Sequence, residues 1–207
     1  DPLNDVMPVS LGCTFDFGFA VGPLVPASVK TVPEFLNWCK ANPGLANFGS
    51  PAAGSVPHFI GVLMGRAADV DLRHVAFRGT QPAILDMIGG QIAAVSGPIG
   101  EFTQHVAAGK CRLLGATGAK RSHNLPEVPT VREWKELNLP QFEYESWNGL
   151  MAPAGTPTEV VRRLSQEVKR ISETLRVYRA VKKMSAALKR FLGPAGFATA
   201  ISLEVDD

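Results

Sequence analysis

Strand-like and helix-like segments alternate along this chain from about residue 30 to residue 117, and this alternation limits the possible folds more than any other feature. Their periodicity and capping residues predict helices at 31–40, 56–67, 82–88 and 101–108, and strands at 45–48, 71–77, 91–95 and 111–117. The connections are short, which is typical of parallel strands joined by crossover helices. We therefore predict an α/β fold built on a parallel sheet.

After Ser122 the character of the sequence changes. A proline-containing connector, 125–130, is predicted to lead into a short helix that Thr130 caps and that ends at Leu137. Residues 138–143 are predicted to cross to a new segment, which starts with a strand at Ser146 and continues into a long helix capped by Thr156. We place the boundary between two lobes near residue 140.

The loop after the first strand of the alternating series is rich in small residues. Gly49 and Gly54 permit backbone conformations with positive φ and a close approach to another molecule. Ser50 and Ser55 offer hydroxyl groups, and the helix predicted to begin near Val56 has unpaired N–H groups at the positive end of its dipole. These features suit a carboxylate or phosphate. A plain strand-to-helix turn with Ser55 as N-cap is the alternative interpretation.

Two further predicted strands end in loops of the same kind, Arg78-Gly79-Thr80 and Ser96-Gly97-Pro98. Open parallel sheets bind ligands at the carboxyl ends of their strands, so the three loops are expected at one edge. None of these loops contains a nucleophile–base pair, a carboxylate pair or a set of metal ligands. We therefore predict binding rather than catalysis, with no catalytic residue, no metal and no cofactor.

Composition excludes several classes of protein. The 207 residues are 45% hydrophobic and 19% charged, as in ordinary globular proteins, and no apolar run is long enough to span a membrane. The chain starts Asp-Pro-Leu-Asn-Asp, with neither the features of a signal peptide nor an initiator Met, which predicts a processed or partial chain. The three cysteines are far apart with no C-x-x-C pair, so no metal site is expected, and their odd number leaves at most one disulfide.

Positive charge is concentrated near the C-terminus. Ten Lys or Arg residues stand against two Glu residues between Arg162 and Arg190, a balance that nucleic-acid-binding proteins also show. Aromatic residues that would stack on bases are not interleaved with them. Apolar residues recur at helical spacing in the same stretch, which predicts that the basic residues are the solvated face of a helix: Val161, Leu164, Val168, Ile171 and Leu175. We therefore predict no nucleic-acid partner.

The motifs together resemble the periplasmic solute-binding receptors of the tripartite tricarboxylate transporter family, often called Bug receptors. The order and spacing of the matching motifs hold over nearly the whole chain. They include Asp1-Pro2-Leu3-Asn4-Asp5, Ala41-Asn42-Pro43-Gly44, Gly49-Ser50, Gly54-Ser55 with His58, Phe77-Arg78-Gly79, Gly89-Gly90-Gln91-Ile92, Leu125-Pro126-Glu127-Val128-Pro129-Thr130, Ser146-Trp147 and Ala152-Pro153-Ala154-Gly155-Thr156-Pro157.

The resemblance implies a two-lobed Venus-flytrap receptor in the periplasm, not inserted in the membrane. It captures a small carboxylate and delivers it to the permease subunits of a membrane transporter, without catalysis. Residues 1–15 would end the N-terminal part of lobe 1, residues 16–140 would form the complete lobe 2, and residues 141–207 would return to lobe 1. The N-terminal stretch of the family, which supplies half of the cleft, is expected to be missing from this chain.

The resemblance and the strand ends together predict the ligand-binding residues. In this set His58 would donate to a carboxylate and Arg78 would clamp one, unless His58 only packs over the loop and Arg78 only faces solvent. Trp147 would close the cleft or lie buried at a hinge. The full predicted set is Gly49, Ser50, Ala53, Gly54, Ser55, His58, Arg78, Gly79, Thr80, Ser96, Gly97 and Trp147.

A different class of function also fits some of these residues. An α/β enzyme acting on a small carboxylated or phosphorylated metabolite would place Ser50 or Ser55 near His58. The sequence supplies neither a third, orienting carboxylate nor a Gly-x-Ser-x-Gly elbow for such a pair. Turnover of a metabolite would favour the enzyme over the receptor.

Overall fold

The structure, a computed structural model, describes residues 1, 4–122, 125–137 and 145–175. The chain divides into two compact units. Unit 1 combines Asp1–Cys13 with the part that starts at Asn148, and unit 2 is Thr14–Trp147. Within the described part of the chain, none of the helices combines the length and apolar character needed to span a bilayer.

Strands and helices alternate in unit 2 as the sequence predicts. The helices are α1 (Val32–Ala41), α2 (Val56–Ala67), α3 (Thr80–Ile88) and α4 (Thr103–Ala107), and the strands are β2 (Asn47–Ser50), β3 (Arg73–Ala76), β4 (Ala94–Pro98) and β5 (Arg112–Ala116). Strands β1 (Val6–Val21) and β6 (Glu145–Pro153) have residues in both units, and residues 158–175 are helical. Single 3₁₀ turns lie at Pro43–Leu45, Ile99–Phe102, Val131–Glu133 and Lys135–Leu137.

The sheet has the strand order β3-β2-β4-β1-β5, and β6 pairs with β1 off this path. Strand β2 runs parallel to both β3 and β4, as predicted. Strand β1 was not predicted, and it runs antiparallel to both β4 and β5, so the sheet is mixed and the expectation of an all-parallel sheet is wrong. The reason is that β1 reaches its place as a continuous strand and not through a crossover helix, so the parallel direction is not imposed on it.

Local capping chemistry sets the ends of α1. The hydroxyl of Thr31 accepts the N–H of Glu34 at 3.3 Å, and the Glu34 carboxylate accepts the N–H of Thr31 at 3.1 Å, which completes a capping box. Pro33 lies in the first turn and Asn42 is the C-cap, as predicted. Helix α2 also has its predicted bounds.

The helix predicted over 130–137 is wrong as an α-helix. Thr130 does form a capping box with Glu133, but two separate 3₁₀ turns follow, because the backbone leaves helical geometry at Trp134 (φ −95°, ψ 70°) between them. A Cβ atom at Gly115 of β5 would collide with the indole ring of Trp134, which shows how closely that ring packs on the sheet. Packing of one large side chain therefore overrides helix continuation.

The sheet is covered on both faces, and successive residues of its strands alternate between two cores. Phe19 contacts Phe35 of α1 and Phe48 of β2, with ring centroids 5.4 and 6.4 Å apart, while Ala20 belongs to the opposite core with Met87 of α3. This period of two is the usual consequence of strand geometry. This alternation determines which residues of each strand face each of the two cores.

An ion pair holds the connector that follows β5. The guanidinium of Arg121 donates to the Glu133 carboxylate at 2.8 Å and to the carbonyl oxygen of Pro126 at 2.9 Å. The hydrogen bond from Arg121, together with the N–H of Thr130, lowers the pKa of Glu133 to about 2.

In unit 1 the apolar stripe of the helix over 158–175 is partly exposed. Leu164, Ile171 and Leu175 are 42%, 50% and 47% exposed, while Val161 and Val168 are half-buried. The side chains of the basic residues Arg162 and Arg170 are 56% and 69% exposed. The rest of the basic stretch, from residue 176 to residue 190, lies outside the described residues. The predicted crossing over 138–143 also lies outside them.

The three cysteines are free thiols. Cys13 is exposed, and burial raises the pKa of the thiols of Cys39 and Cys111 to about 12 and about 11. Thiols with so little thiolate are poor nucleophiles and poor metal ligands. No group of three potential metal-ligating side chains occurs in the described ranges.

Candidate functional site

The carboxyl ends of β2, β3 and β4 meet at one edge of the sheet. Ser50, the last residue of β2, is in register with Ala76 of β3, and Gly49 is in register with Val95 of β4. Because β2 is parallel to both neighbours, the three segments predicted as glycine-containing loops lie side by side at this edge. Sequence reasoning predicted this convergence from the order of the elements.

The segments at this edge also contact one another. The N–H of Gly79 donates to the carbonyl oxygen of Pro51 at 3.2 Å, so the loops after β2 and β3 are hydrogen-bonded. The prediction of a loop over 96–98 is wrong, because these residues pair with β1 and belong to β4. A Cβ atom at Gly97 would overlap the methyl group of Thr80, which is 4% exposed, so the end of β4 packs directly against the start of α3. The edge is therefore one continuous surface.

The N-terminus of α2 lies at this edge with N–H groups unpaired. Ser55 occupies the N-cap position, as predicted, but its hydroxyl donates to the carbonyl oxygen of Ala52 at 2.7 Å and does not cap the helix. Among the described residues, the N–H groups of Val56 and His58 have no acceptor, and the proline between them has no N–H. Gly54, at φ +78°, turns the chain into the helix.

Two histidines and a serine lie beneath this loop. The Oγ atom of Ser50 is 2.7 Å from Nε2 of His74 and donates to the carbonyl oxygen of Ala52 at 3.2 Å. The Nδ1 atom of His58 accepts the N–H of Gly54 at 3.1 Å, and the two imidazole centroids are 4.1 Å apart. Burial, and then the neighbouring imidazole, lower the pKa of His74. His74 therefore contacts the start of the loop through Ser50, and His58 contacts its end through Gly54.

His74 is the residue of this cluster that sequence reasoning did not select. The signal was present, because the alternation along β3 puts His74 on the same face as the buried Leu72. In the sheet His74 is in register with Phe48, and their ring centroids are 5.0 Å apart. An imidazole one strand away from the loop becomes visible as a partner of Ser50 only once the register is known.

The other predicted residues divide into buried and exposed positions. Ser96 is fully buried with no partner for its hydroxyl among the described residues, and Gly49 is enclosed, since a Cβ there would press on the Phe77 ring at 2.9 Å. Arg78 and Ala53 are exposed, and no described residue pairs with the Arg78 guanidinium. Ser96 and Gly49 therefore belong to the buried part of the edge, and Arg78 and Ala53 are accessible to solvent.

Trp147 is largely exposed in the structure. It is the last residue of unit 2, within β6, and it is 55% exposed. The expectation of a buried hinge tryptophan is therefore wrong. An exposed indole is free to cover a ligand or a protein surface.

The electrostatics of the edge favour an anion. The segments over 51–55, 77–80 and 96–98 contain no Asp or Glu, and the first turn of α2 has no acidic residue. Glu101, the next acidic residue along the chain, accepts a hydrogen bond from Gln81 at 3.1 Å. The dipole of α2 and the guanidinium of Arg78 contribute positive potential.

A family model described as the tripartite tricarboxylate transporter family receptor matches residues 1–186. A protein of Pseudomonas sp. strain P51, named as a UPF0065 protein in the tcbD-tcbE intergenic region, is 34% identical over 183 residues, 87% of this chain and 53% of that protein. Protein BugT of Bordetella pertussis is 28% identical over 166 residues, 80% of this chain and 49% of that protein. The chain thus spans about half the length of the curated relatives it matches.

Solved structures of similar proteins share the fold. Rpa4515 of R. palustris, determined with adipate, is 28% identical with a TM-score of 0.73, over 81% of this chain and 55% of that one. MatC of Rhodopseudomonas palustris, with bound malate, is 29% identical with a TM-score of 0.69, over 80% and 54%. The periplasmic binding protein BugD is 27% identical with a TM-score of 0.68, over 79% and 53%. The chain has the fold of periplasmic binding proteins.

Proposed function

This chain belongs to the tripartite tricarboxylate transporter receptor family, and from that premise we propose that it binds a small carboxylate in the periplasm for delivery to the permease of a membrane transporter. Unit 2 corresponds in this proposal to the complete lobe, predicted as 16–140, and unit 1 to the parts of the other lobe, predicted as 1–15 and 141–207. The ligand occupies the strand edge of unit 2.

The observation that carries this proposal is the unpaired N-terminus of α2. Two N–H groups without acceptors, those of Val56 and His58, lie beside loops that contain no carboxylate. A bound carboxylate would accept both N–H groups and lie at the positive end of the helix dipole. Exposed Arg78 in the adjacent loop would donate to the same carboxylate or to a second one.

A dicarboxylate is the ligand class we propose. Two similar proteins of known structure hold adipate and malate, which both carry two carboxylates. The edge offers two separate cationic features, the α2 N-terminus and Arg78, and two carboxylates would satisfy both. The remaining predicted residues at this edge would supply backbone donors and close packing around the ligand: Ala53, Gly54, Ser55, Gly79, Thr80, Ser96 and Gly97.

The enzyme alternative is disfavoured. The family and its structural neighbours are solute-binding receptors and not enzymes. The serine that an enzyme would use as nucleophile, Ser50, is fully buried and is hydrogen-bonded to both His74 and Ala52. A nucleophile must be reachable by its substrate, and this hydroxyl instead supports the loop.

Calorimetric titration with malate, adipate and the neutral diamides of both acids tests the proposal. The diamides keep the carbon skeleton and remove the charge, so they are matched controls. Saturable binding of an acid, with no heat from its diamide, is the expected result. Equal binding of acid and diamide, or chemical conversion of either acid detected by NMR, would contradict a carboxylate receptor.

A further inference from the structure

The N–H of Gly54 is held by a histidine in the structure. It donates to Nδ1 of His58 at 3.1 Å, while the neighbouring N–H groups of Val56 and His58 itself have no acceptor among the described residues. A carboxylate that binds the N-terminus of α2 therefore meets two unpaired donors and one that is already engaged. To take the third donor, it must displace the imidazole.

The protonation state of His58 decides whether that donor is engaged. A ring nitrogen accepts a hydrogen bond only while it carries no proton, so Nδ1 of His58 is unprotonated in the observed arrangement. Protonation of Nδ1 converts it into a donor, releases the N–H of Gly54 and places a positive charge next to the helix N-terminus. A nearby anion favours the charged form of an imidazole, and a nitrogen lone pair that faces a carboxylate is repelled.

The next question is whether another described side chain beside His58 could take up this proton instead. Phe48 of β2, Phe59 of the same helix and His74 of β3 are the side chains whose rings face it among the described residues. His74 is the sole titratable group of the three. Its Nε2 atom lies 2.7 Å from the Ser50 hydroxyl.

A positive charge on His74 is disfavoured by its surroundings. Its Nε2 atom lies 2.7 Å from the Oγ atom of Ser50, at the partly buried start of the loop. A second positive charge on a ring 4.1 Å from His58 would repel the first. Its partial burial also disfavours the charged form. One proton can therefore enter the pair, and it enters at His58.

Resting on the proposed carboxylate-binding function, we propose that His58 couples ligand binding to the uptake of one proton from solvent. The incoming carboxylate accepts the N–H of Gly54, Nδ1 of His58 takes a proton from buffer, and the new N–H donates to the ligand. One N–H bond forms at Nδ1, the bond that held this proton to the buffer acid breaks, and the positive charge gained offsets one negative charge of the ligand.

Titration calorimetry in three carboxylate-free buffers of different ionisation enthalpy measures this uptake directly. The observed enthalpy of malate or adipate binding, plotted against the ionisation enthalpy of the buffer, has a slope equal to the number of protons taken up. We expect a slope of up to about one proton, and an affinity that rises by up to about tenfold per pH unit as pH falls from about 8 to about 6.5. The ligand carboxylates stay ionised throughout this range.

The variant His58→Asn separates coupling from binding. Its amide can still hydrogen-bond at the loop but cannot titrate, so we expect binding with a slope near zero and no pH dependence. His105→Asn on α4, which removes an imidazole with no side-chain partner among the described residues, is the matched control and should keep the full slope.

The outcomes of these experiments distinguish proton coupling at His58 from the carboxylate-binding function on which it rests. Binding of a dicarboxylate by the unmodified chain with a slope of zero at every pH would overturn proton coupling and leave the receptor proposal standing. A full slope in His58→Asn would also overturn it, because another group would then carry the proton. Absence of any carboxylate binding would overturn both proposals together.

Discussion

Replacing Gly54 by valine tests whether the loop binds ligand or merely turns the chain. Gly54 has φ +78°, and a Cβ atom built there meets nothing within 4 Å, so the cost of a side chain at this position lies mainly in the backbone conformation. A side chain in the left-handed region costs about 1–2 kcal/mol. For a chain of this size that corresponds to a fall in Tm of roughly 2–8 °C.

Gly109 provides a matched control for this change. It has φ +67°, open space around its Cβ position and a place between α4 and β5, away from the three loops. Gly109→Val should therefore lower Tm by a similar amount and leave binding unchanged. Comparing the two valine variants separates backbone strain from loss of function.

The binding effect of Gly54→Val follows from the N–H groups it displaces. Strain at this position moves the chain that carries the donors of the loop, and one charge-assisted hydrogen bond is worth about 1.5–3 kcal/mol. We therefore expect dicarboxylate affinity to fall by at least about tenfold, up to about 150-fold for a single lost bond. Calorimetry and thermal unfolding of both variants give the two quantities. If Gly54→Val binds as tightly as Gly109→Val, the loop is only a turn.

The neighbouring loops and the connector after β5 provide three further tests. Arg78→Gln should lower dicarboxylate affinity by about tenfold or more with Tm unchanged, whereas Arg66→Gln, at the other end of α2, should change neither. Gly97→Ala should cost about 1–3 kcal/mol of stability through overlap with the Thr80 methyl, and less in a Thr80→Ser background; strictly additive effects would contradict that contact. Because the pKa of Glu133 is lowered from 4.5 to about 2, its contribution to stability is present above pH 4.5 and lost as pH falls toward 2, so Glu133→Gln should flatten the dependence of Tm on pH in that window.

Sequence reasoning succeeded where structure is determined locally. The ends of α1 follow from Thr31, Glu34 and Asn42, which lie within or next to the helix they cap. The convergence of three strand ends at one edge follows from the order of short strands and helices, since parallel strands joined by crossovers can meet in few other ways. These inferences need no knowledge of distant contacts.

The features that sequence reasoning did not predict depend on contacts between residues far apart in the sequence. Strand β1 takes its direction from pairing with β4 and β5, more than 70 residues further along the chain. Strand β4 begins at Ala94 and not at residue 91, and just before it the N–H of Ala93 donates to the Asn47 side chain at 2.8 Å, a partner that no local pattern announces. His74 joins the candidate site for the same reason, because its hydrogen bond spans 24 residues.

A crystal structure of the chain with malate or adipate bound would test the central claim most directly. The account predicts a carboxylate whose oxygens lie within hydrogen-bonding distance of the N–H groups of Val56 and His58, with the Arg78 guanidinium turned toward the ligand. An ordered ligand bound elsewhere, with no carboxylate at the N-terminus of α2, would contradict it.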